Sequence, residues 1–161
     1  MSVTSKAGKD GKQAQSSQKE GFSEVERAAI KDRAAELKSA ARRSKSANKA
    51  AADERDVLAK IHDMAQPDRA LAERLHAIIT ETAPELAPKL WYGQPAWARS
   101  GKVVCFFRSG QGDKQRYSTF GFSPEARLDE EHGLWATSFA LVELSSQAEA
   151  AIKKLLRAAL G

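Results

Sequence analysis

Lys89-Leu90-Trp91-Tyr92-Gly93-Gln94-Pro95-Ala96-Trp97-Ala98-Arg99-Ser100-Gly101-Lys102-Val103-Val104-Cys105-Phe106-Phe107 is the stretch in which the chain changes its period. Upstream, apolar residues recur at helical spacing; here they alternate or run together between Gly and Pro, as strands do. Short strands are predicted at 89–92, 96–99 and 102–107. Ser100-Gly101 reads as a two-residue hairpin turn, and Gly93-Gln94-Pro95 as a break between the first two strands. Gly permits a positive φ and Pro fixes its own, so the backbone around this break has a set shape.

Downstream, Arg108-Ser109-Gly110-Gln111-Gly112-Asp113 is a polar loop. In 115–122, Tyr117 and Thr119 alternate with Ser118, Phe120 and Phe122, which predicts a further strand. Ser123-Pro124-Glu125 has the form of an N-cap with Pro at the first helical position, for a short turn running to Asp129. A last strand is expected over 135–144. Ser146 and Glu149 have capping-box spacing and open a helix with Ile152, Leu155, Leu156 and Ala159 inward.

Upstream, residues 1–22 show no apolar periodicity and are expected to be a disordered tail. Ser23 stands three before Glu26, a second capping-box spacing, and Ile30, Ala34, Leu37 and Ala41 follow at i, i+4, i+7 and i+11. That helix has few large apolar residues and needs a partner surface. Arg42-Arg43-Ser44-Lys45-Ser46-Ala47-Asn48-Lys49 reads as a basic linker. A second helix is expected from near Asp53, with Val57, Ile61 and Met64 on one side. A third follows Pro67, with Asp68 in its first turn and Leu71, Leu75, Ile78 and Thr82 on its apolar face; Pro84 and Pro88 close it.

The order of helices, about five strands and a final helix predicts an α+β fold. It is a two-layer domain, with an antiparallel sheet and helices packed on one face. That domain is expected over 53–161, preceded by a helix and basic linker over 23–52.

Charge and aromatics divide the chain the same way. Residues 1–60 hold 14 Lys and Arg against 9 Asp and Glu, while 61–161 hold 12 of each, so the front carries the net charge of +5. Of the 11 aromatics only Phe22 precedes Trp91. A uniformly basic nucleic-acid-binding domain is excluded. The front could neutralise phosphates or meet an acidic protein, but has no aromatic interleaving for base stacking. The N-terminal residues lack the apolar core of a secretory signal. The longest strongly apolar run, 103–107, is far short of the ~20 residues that span a bilayer. One cysteine forms no internal disulfide. A cytoplasmic protein with no membrane partner is the expectation.

No Gly-rich phosphate loop, nucleophile elbow, zinc-protease motif or paired cysteine is present. His62, His76 and His132 do not cluster, and Cys105 lies in an apolar strand without a basic neighbour to favour the thiolate. Asp129-Glu130-Glu131-His132 is the densest acidic run, with oxygen ligands suited to a hard cation. Around the strand break, Trp91, Tyr92 and Trp97 either pack into the core or stand on an open sheet face. In the second case, with Arg108, Arg116 and Tyr117 near its mouth, they make an aromatic pocket with a cationic rim.

Leu75–Ile79, Ala83-Pro84, Trp91-Tyr92-Gly93-Gln94-Pro95-Ala96-Trp97, Gly101-Lys102 and Val104-Phe106-Phe107 together resemble the YdhG-like family, a domain of unknown function in the frataxin-like superfamily. The resemblance covers roughly residues 57–160; Gln94 stands where the family commonly has Met, and 1–56 lie outside the pattern. It implies a non-enzymatic binding domain, and iron as cargo, because family members have been proposed as iron chaperones by analogy with frataxin. Frataxin holds iron on an acidic ridge along its first core helix. Here the corresponding helix carries Asp68, Glu73, Glu81 and Glu85, interrupted by Arg69, Arg74 and His76, so the ridge is diluted.

Two sets of candidate site residues follow. Trp91, Tyr92, Trp97, Arg108 and Tyr117 would line a small-molecule or enzymatic pocket. Glu73, Glu81, Asp129, Glu130 and His132 would hold a metal. A third possibility sends nucleic acid or an acidic partner to residues 1–52.

Overall fold

The structure is a computed structural model that describes residues 23–43 and 48–161. The tail expected over 1–22 and the middle of the basic linker lie outside the described residues. The elements run α1 (Glu24–Arg43), α2 (Lys49–His62), α3 (Asp68–Thr82), β1 (Ala87–Trp91), β2 (Gln94–Arg99), β3 (Lys102–Arg108), β4 (Ser118–Phe122), β5 (Ser138–Leu141) and α4 (Ser146–Leu160). The fold is α+β. Its five strands form one antiparallel sheet in chain order, β1 to β5, each hydrogen-bonded to the next.

Side chains alternate across a strand, and register carries one strand's face onto the next. Trp97 sits opposite Cys105, Cys105 opposite Phe122, Phe107 opposite Phe120, and Phe120 opposite Phe139. Apart from Phe139, which is partly buried and packs against it, these residues share a core cluster with Val57 and Ile61 of α2, Leu71, Leu75, Ile78 and Ile79 of α3, and Ile152 and Leu156 of α4. At ~25 cal/mol per Å² of apolar surface removed from water, burial of Trp97, Phe107 and Phe120 dominates the driving force on the sheet side.

The run Val103–Phe107 does not alternate cleanly, and the reason is a register shift. Trp97 pairs with Cys105, but the next residue, Ala98, pairs with Val103, so β3 carries one extra residue at Val104. Such a bulge re-aims a side chain, and Val104 joins the core cluster at 1% exposure.

Elsewhere the structure moves several expected boundaries. Gly93-Gln94-Pro95 is not a gap between strands: Trp91 pairs directly with Gln94, so Tyr92-Gly93 is a two-residue turn and Gln94 and Pro95 belong to β2. Pro95 is tolerated because β3 pairing begins only at Ala96, so the missing N–H removes no β2–β3 ladder bond. The segment after Ser123 forms the expected short turn, ending by Ala126 rather than Asp129, and the last strand is shorter than 135–144. The cap of α4 is Ser145, whose Oγ accepts from the Ala148 amide at 3.2 Å. Glu149 is instead engaged by Arg74 of α3, with Nε to Oε1 at 2.6 Å and Nη2 to Oε2 at 3.0 Å. The expected cap of α1 is present: Ser23 Oγ accepts from the Glu26 amide at 3.1 Å.

The largest departure concerns α1. Its predicted inward stripe faces outward, with Ile30 at 53% and Leu37 at 55% exposure. The stripe one residue earlier, Ala29, Arg33, Glu36 and Ala40, is the half-buried one. Two of these four are charged, so α1 meets the body through polar groups.

Candidate functional site

The antiparallel order sends the β1–β2 turn, the C-terminal end of β3 and the N-terminal end of β4 to one end of the sheet. Trp91, Tyr92, Arg108 and Tyr117 therefore gather at that end, on or beside the face that alternates away from Phe107 and Phe120. Trp91 is half-buried, its ring 5.3 Å from that of Phe106 and 5.0 Å from that of Tyr92. The floor beneath is small: Ala96 pairs with Phe106 and is fully buried, and Phe106 pairs with Gly121. The Phe106 ring lies over Gly121 so closely that a Cβ there would collide with Cζ. A glycine inside a strand often marks such an approach. Trp91 and Phe106 thus form a continuous aromatic surface, half exposed, on a floor of Ala and Gly.

Beside it, Arg108, Asp113, Gln115, Tyr117 and Thr119 line a cleft of about 210 Å³. Arg108 is half-exposed and bonded to Asp113. The Arg116 guanidinium lies 5.2 Å from the centre of the Tyr117 ring. The loop between β3 and β4 is fixed from below by a buried network. Ser109 Oγ donates to Asp68 of α3, and the Gln111 amide donates to the same carboxylate at 2.9 Å. The Gly112 amide donates to Ser109 Oγ at 3.1 Å and the Gly110 amide to Ser118 Oγ at 3.0 Å. Buried polar groups that are all partnered rigidify a segment; here they hold Arg108 and Tyr117 in place.

Trp97 is apart from this group. It is 1% exposed in the core, where its Nε1–H donates to His76 Nδ1 at 3.2 Å and the rings stack with centroids 6.1 Å apart. Desolvation lowers the His76 pKa, opposed by the charge of Glu54. Neutral His76 with its proton on Nε2 is the form that accepts the Trp97 bond.

The residues considered for metal are spread out. Glu73 and Glu81 are exposed on α3, and Asp129, Glu130 and His132 are exposed between β4 and β5. Among the described residues no group of three or more His, Cys, Asp or Glu lies together as a metal site would require. The Cys105 thiol is buried among apolar residues, which pushes its pKa up and keeps it protonated.

At the same sheet end, α1 contacts the β1–β2 turn. The Tyr92 amide donates to Glu36 Oε2 at 3.1 Å, and the Gly93 amide donates to Glu36 Oε1. The turn has φ of 50° at Tyr92 and 75° at Gly93, a left-handed backbone that Gly adopts at no steric cost. A side chain at Gly93 would also strike Asp32, with its Cβ 2.5 Å from Oδ2. Arg33 covers the Tyr92 ring at 5.2 Å and lies 3.6 Å from Glu36 Oε2. Hydrogen bonds to a charged group are stronger than those between neutral groups, so Glu36 ties α1 to the β1–β2 turn.

The sequence pointed to Trp91, Tyr92, Arg108 and Tyr117 but not to Phe106, Gly121 or Glu36. Gly121 inside a strand was the available signal for Phe106. Nothing local marks Glu36, whose partners lie 56 and 57 positions away. Compared with known proteins, the chain matches no protein-family model, no curated protein and no solved structure.

Proposed function

We propose that this chain is a non-enzymatic binding domain that receives its ligand at the sheet end where Trp91, Phe106, Arg108 and Tyr117 gather. The observation that carries this reading is the half-exposed Trp91–Phe106 surface over Ala96 and Gly121. Aromatic surface left at a sheet end next to cations suits a flat ligand with negative charge. Three groups capable of covalent or acid–base chemistry are engaged elsewhere. Cys105 is buried, His76 Nδ1 takes the Trp97 proton bond, and Ser109 is bonded to Asp68. The resemblance to the YdhG-like family supports the same class, binding rather than catalysis. Iron, the cargo which that resemblance implies, has less support, because Arg69 and Arg74 interrupt the α3 acids and Arg74 is paired with Glu149.

A thermal-shift screen of planar anionic and aromatic metabolites tests the reading. A true ligand at ~100 times its Kd adds ~2.7 kcal/mol, and Phe106→Ala should remove that gain while leaving the fold. Stabilisation that survives both Phe106→Ala and Trp91→Ala would place the ligand elsewhere and refute the assignment.

A further inference from the structure

We infer that the Tyr92–Gly93 turn is a carboxylate-binding site which α1 fills in cis through Glu36, and which a carboxylate from another molecule can take. The inference is independent of the aromatic sheet face: it concerns two backbone amides, not the Trp91–Phe106 surface.

The turn itself belongs to the β1–β2 hairpin, since Trp91 pairs with Gln94 across it. In a two-residue turn of positive φ the amides of both turn residues stand outside the strand ladder. Successive N–H groups in a turn form a concavity for anions, and here the two amides take one oxygen each from a single carboxylate. That bidentate match is specific to a carboxylate-like anion. The hairpin keeps these amides aimed outward whether or not α1 is present.

The cis occupant, α1, has little apolar anchorage among its described residues. Its large apolar residues Val25, Ile30 and Leu37 are exposed, so no apolar contact comparable with those of α4 secures it. Between α1, α2 and β1 lies a groove of about 310 Å³, lined in part by Lys49, Lys60, Lys89 and Leu90 and also by Asp53 and Asp56. When α1 leaves, the half-exposed Tyr92 ring remains beside the turn. The ligand class is therefore a carboxylate borne on an apolar or aromatic group, either a small organic acid or an acidic side chain of a protein.

The test uses the full chain carrying Glu36→Ala and reads backbone amide resonances. Emptying the site should move the Tyr92 and Gly93 amides upfield, while the amides of α4 stay in place and report an intact body. Phenylacetate should then bring both amides back downfield, and phenylacetamide, of the same shape without the charge, should not. In the unsubstituted chain phenylacetate should act at about tenfold higher concentration, because Glu36 competes for the site. A peptide of residues 23–43 added in trans is the second arm. Stronger action of the peptide than of phenylacetate assigns the site to protein carboxylates, and the reverse assigns it to small acids. If Glu36→Ala leaves Tyr92 and Gly93 unmoved, or if phenylacetate and phenylacetamide act alike, the inference is wrong. Shifts confined to Trp91 and Phe106 would likewise refute it while supporting the aromatic face.

Discussion

Helices α1 and α4 are both capped by serine and both carry apolar residues at helical spacing, yet they are attached to the body in opposite ways. α4 buries Ile152, Leu156 and Ala159 in the core. α1 turns Arg33 and Glu36 inward and leaves Ile30 and Leu37 in solvent. A 3.6-residue period therefore predicts a helix, but not which of two adjacent stripes will face the body. The body chooses, and the β1–β2 turn presents two amides that a carboxylate satisfies and an alkyl group does not.

The contrast can be broken most severely at α4. Leu156→Ala removes a fully buried side chain from the core, and the expected loss is about 2–5 kcal/mol, read as a fall in the urea midpoint. A loss below 1 kcal/mol would mean that α4 is no better anchored than α1.

Glu36→Ala should sharpen the contrast. It removes hydrogen bonds to a charged group, so local docking of α1 weakens by about 1–3 kcal/mol while global unfolding of the body is unchanged. Amide exchange of α1 compared with denaturant unfolding of the whole chain separates the two quantities.

On the aromatic face, Gly121→Ala places a Cβ against the Phe106 ring. The ring can swing aside, so the expected cost is about 1 kcal/mol. Its displacement from Trp91 is visible as a loss of ring-current shifts. Unchanged shifts would mean that Phe106 does not rest on Gly121.

The body also carries a pH dependence at His76. His76 has its folded pKa lowered by burial, below the ordinary 6.5. Its stabilising contribution is therefore complete above pH ~6.5 and is lost as pH falls from there towards the folded pKa, because the unfolded chain binds the proton first. Urea midpoints at neutral pH and near pH 5 should differ in that direction, and His76→Gln should flatten the difference. The smallest effect belongs to α1 itself: Leu37→Ala, at an exposed position, should change stability by less than ~0.5 kcal/mol.

Much of the architecture was legible because it rests on period. The second and third helices, the Ser100-Gly101 hairpin and the five strands follow from spacing and turn residues, although α2 begins at Lys49, within the expected linker, and ends at His62. The departures have local causes. Val104 breaks alternation through a bulge whose partner strand is not visible in a single run of residues. Gln94 and Pro95 join β2 because Tyr92 accepts a positive φ, so the turn needs only two residues. Glu149 has capping-box spacing, but Arg74 on a neighbouring helix offers a charged partner.

The candidate site was half legible for the same reason. Aromatics beside a Gly-Pro break were conspicuous, and the antiparallel order then brought Trp91, Tyr92, Arg108 and Tyr117 to one sheet end. Trp97, which looked equivalent to Trp91 in sequence, alternates to the other face and bonds to His76. Phe106 and Glu36 are defined by cross-strand and long-range contacts, which residue types alone do not encode.

Native-state hydrogen exchange on the full chain tests the central contrast most directly. A helix held by polar contacts at one turn opens locally, whereas one buried in the core opens with the whole fold. The account predicts that α1 amides exchange at least ~100-fold faster than those of α4 around Ile152 and Leu156, and that Glu36→Ala accelerates α1 alone. Equal protection of α1 and α4, unaffected by Glu36→Ala, would contradict it.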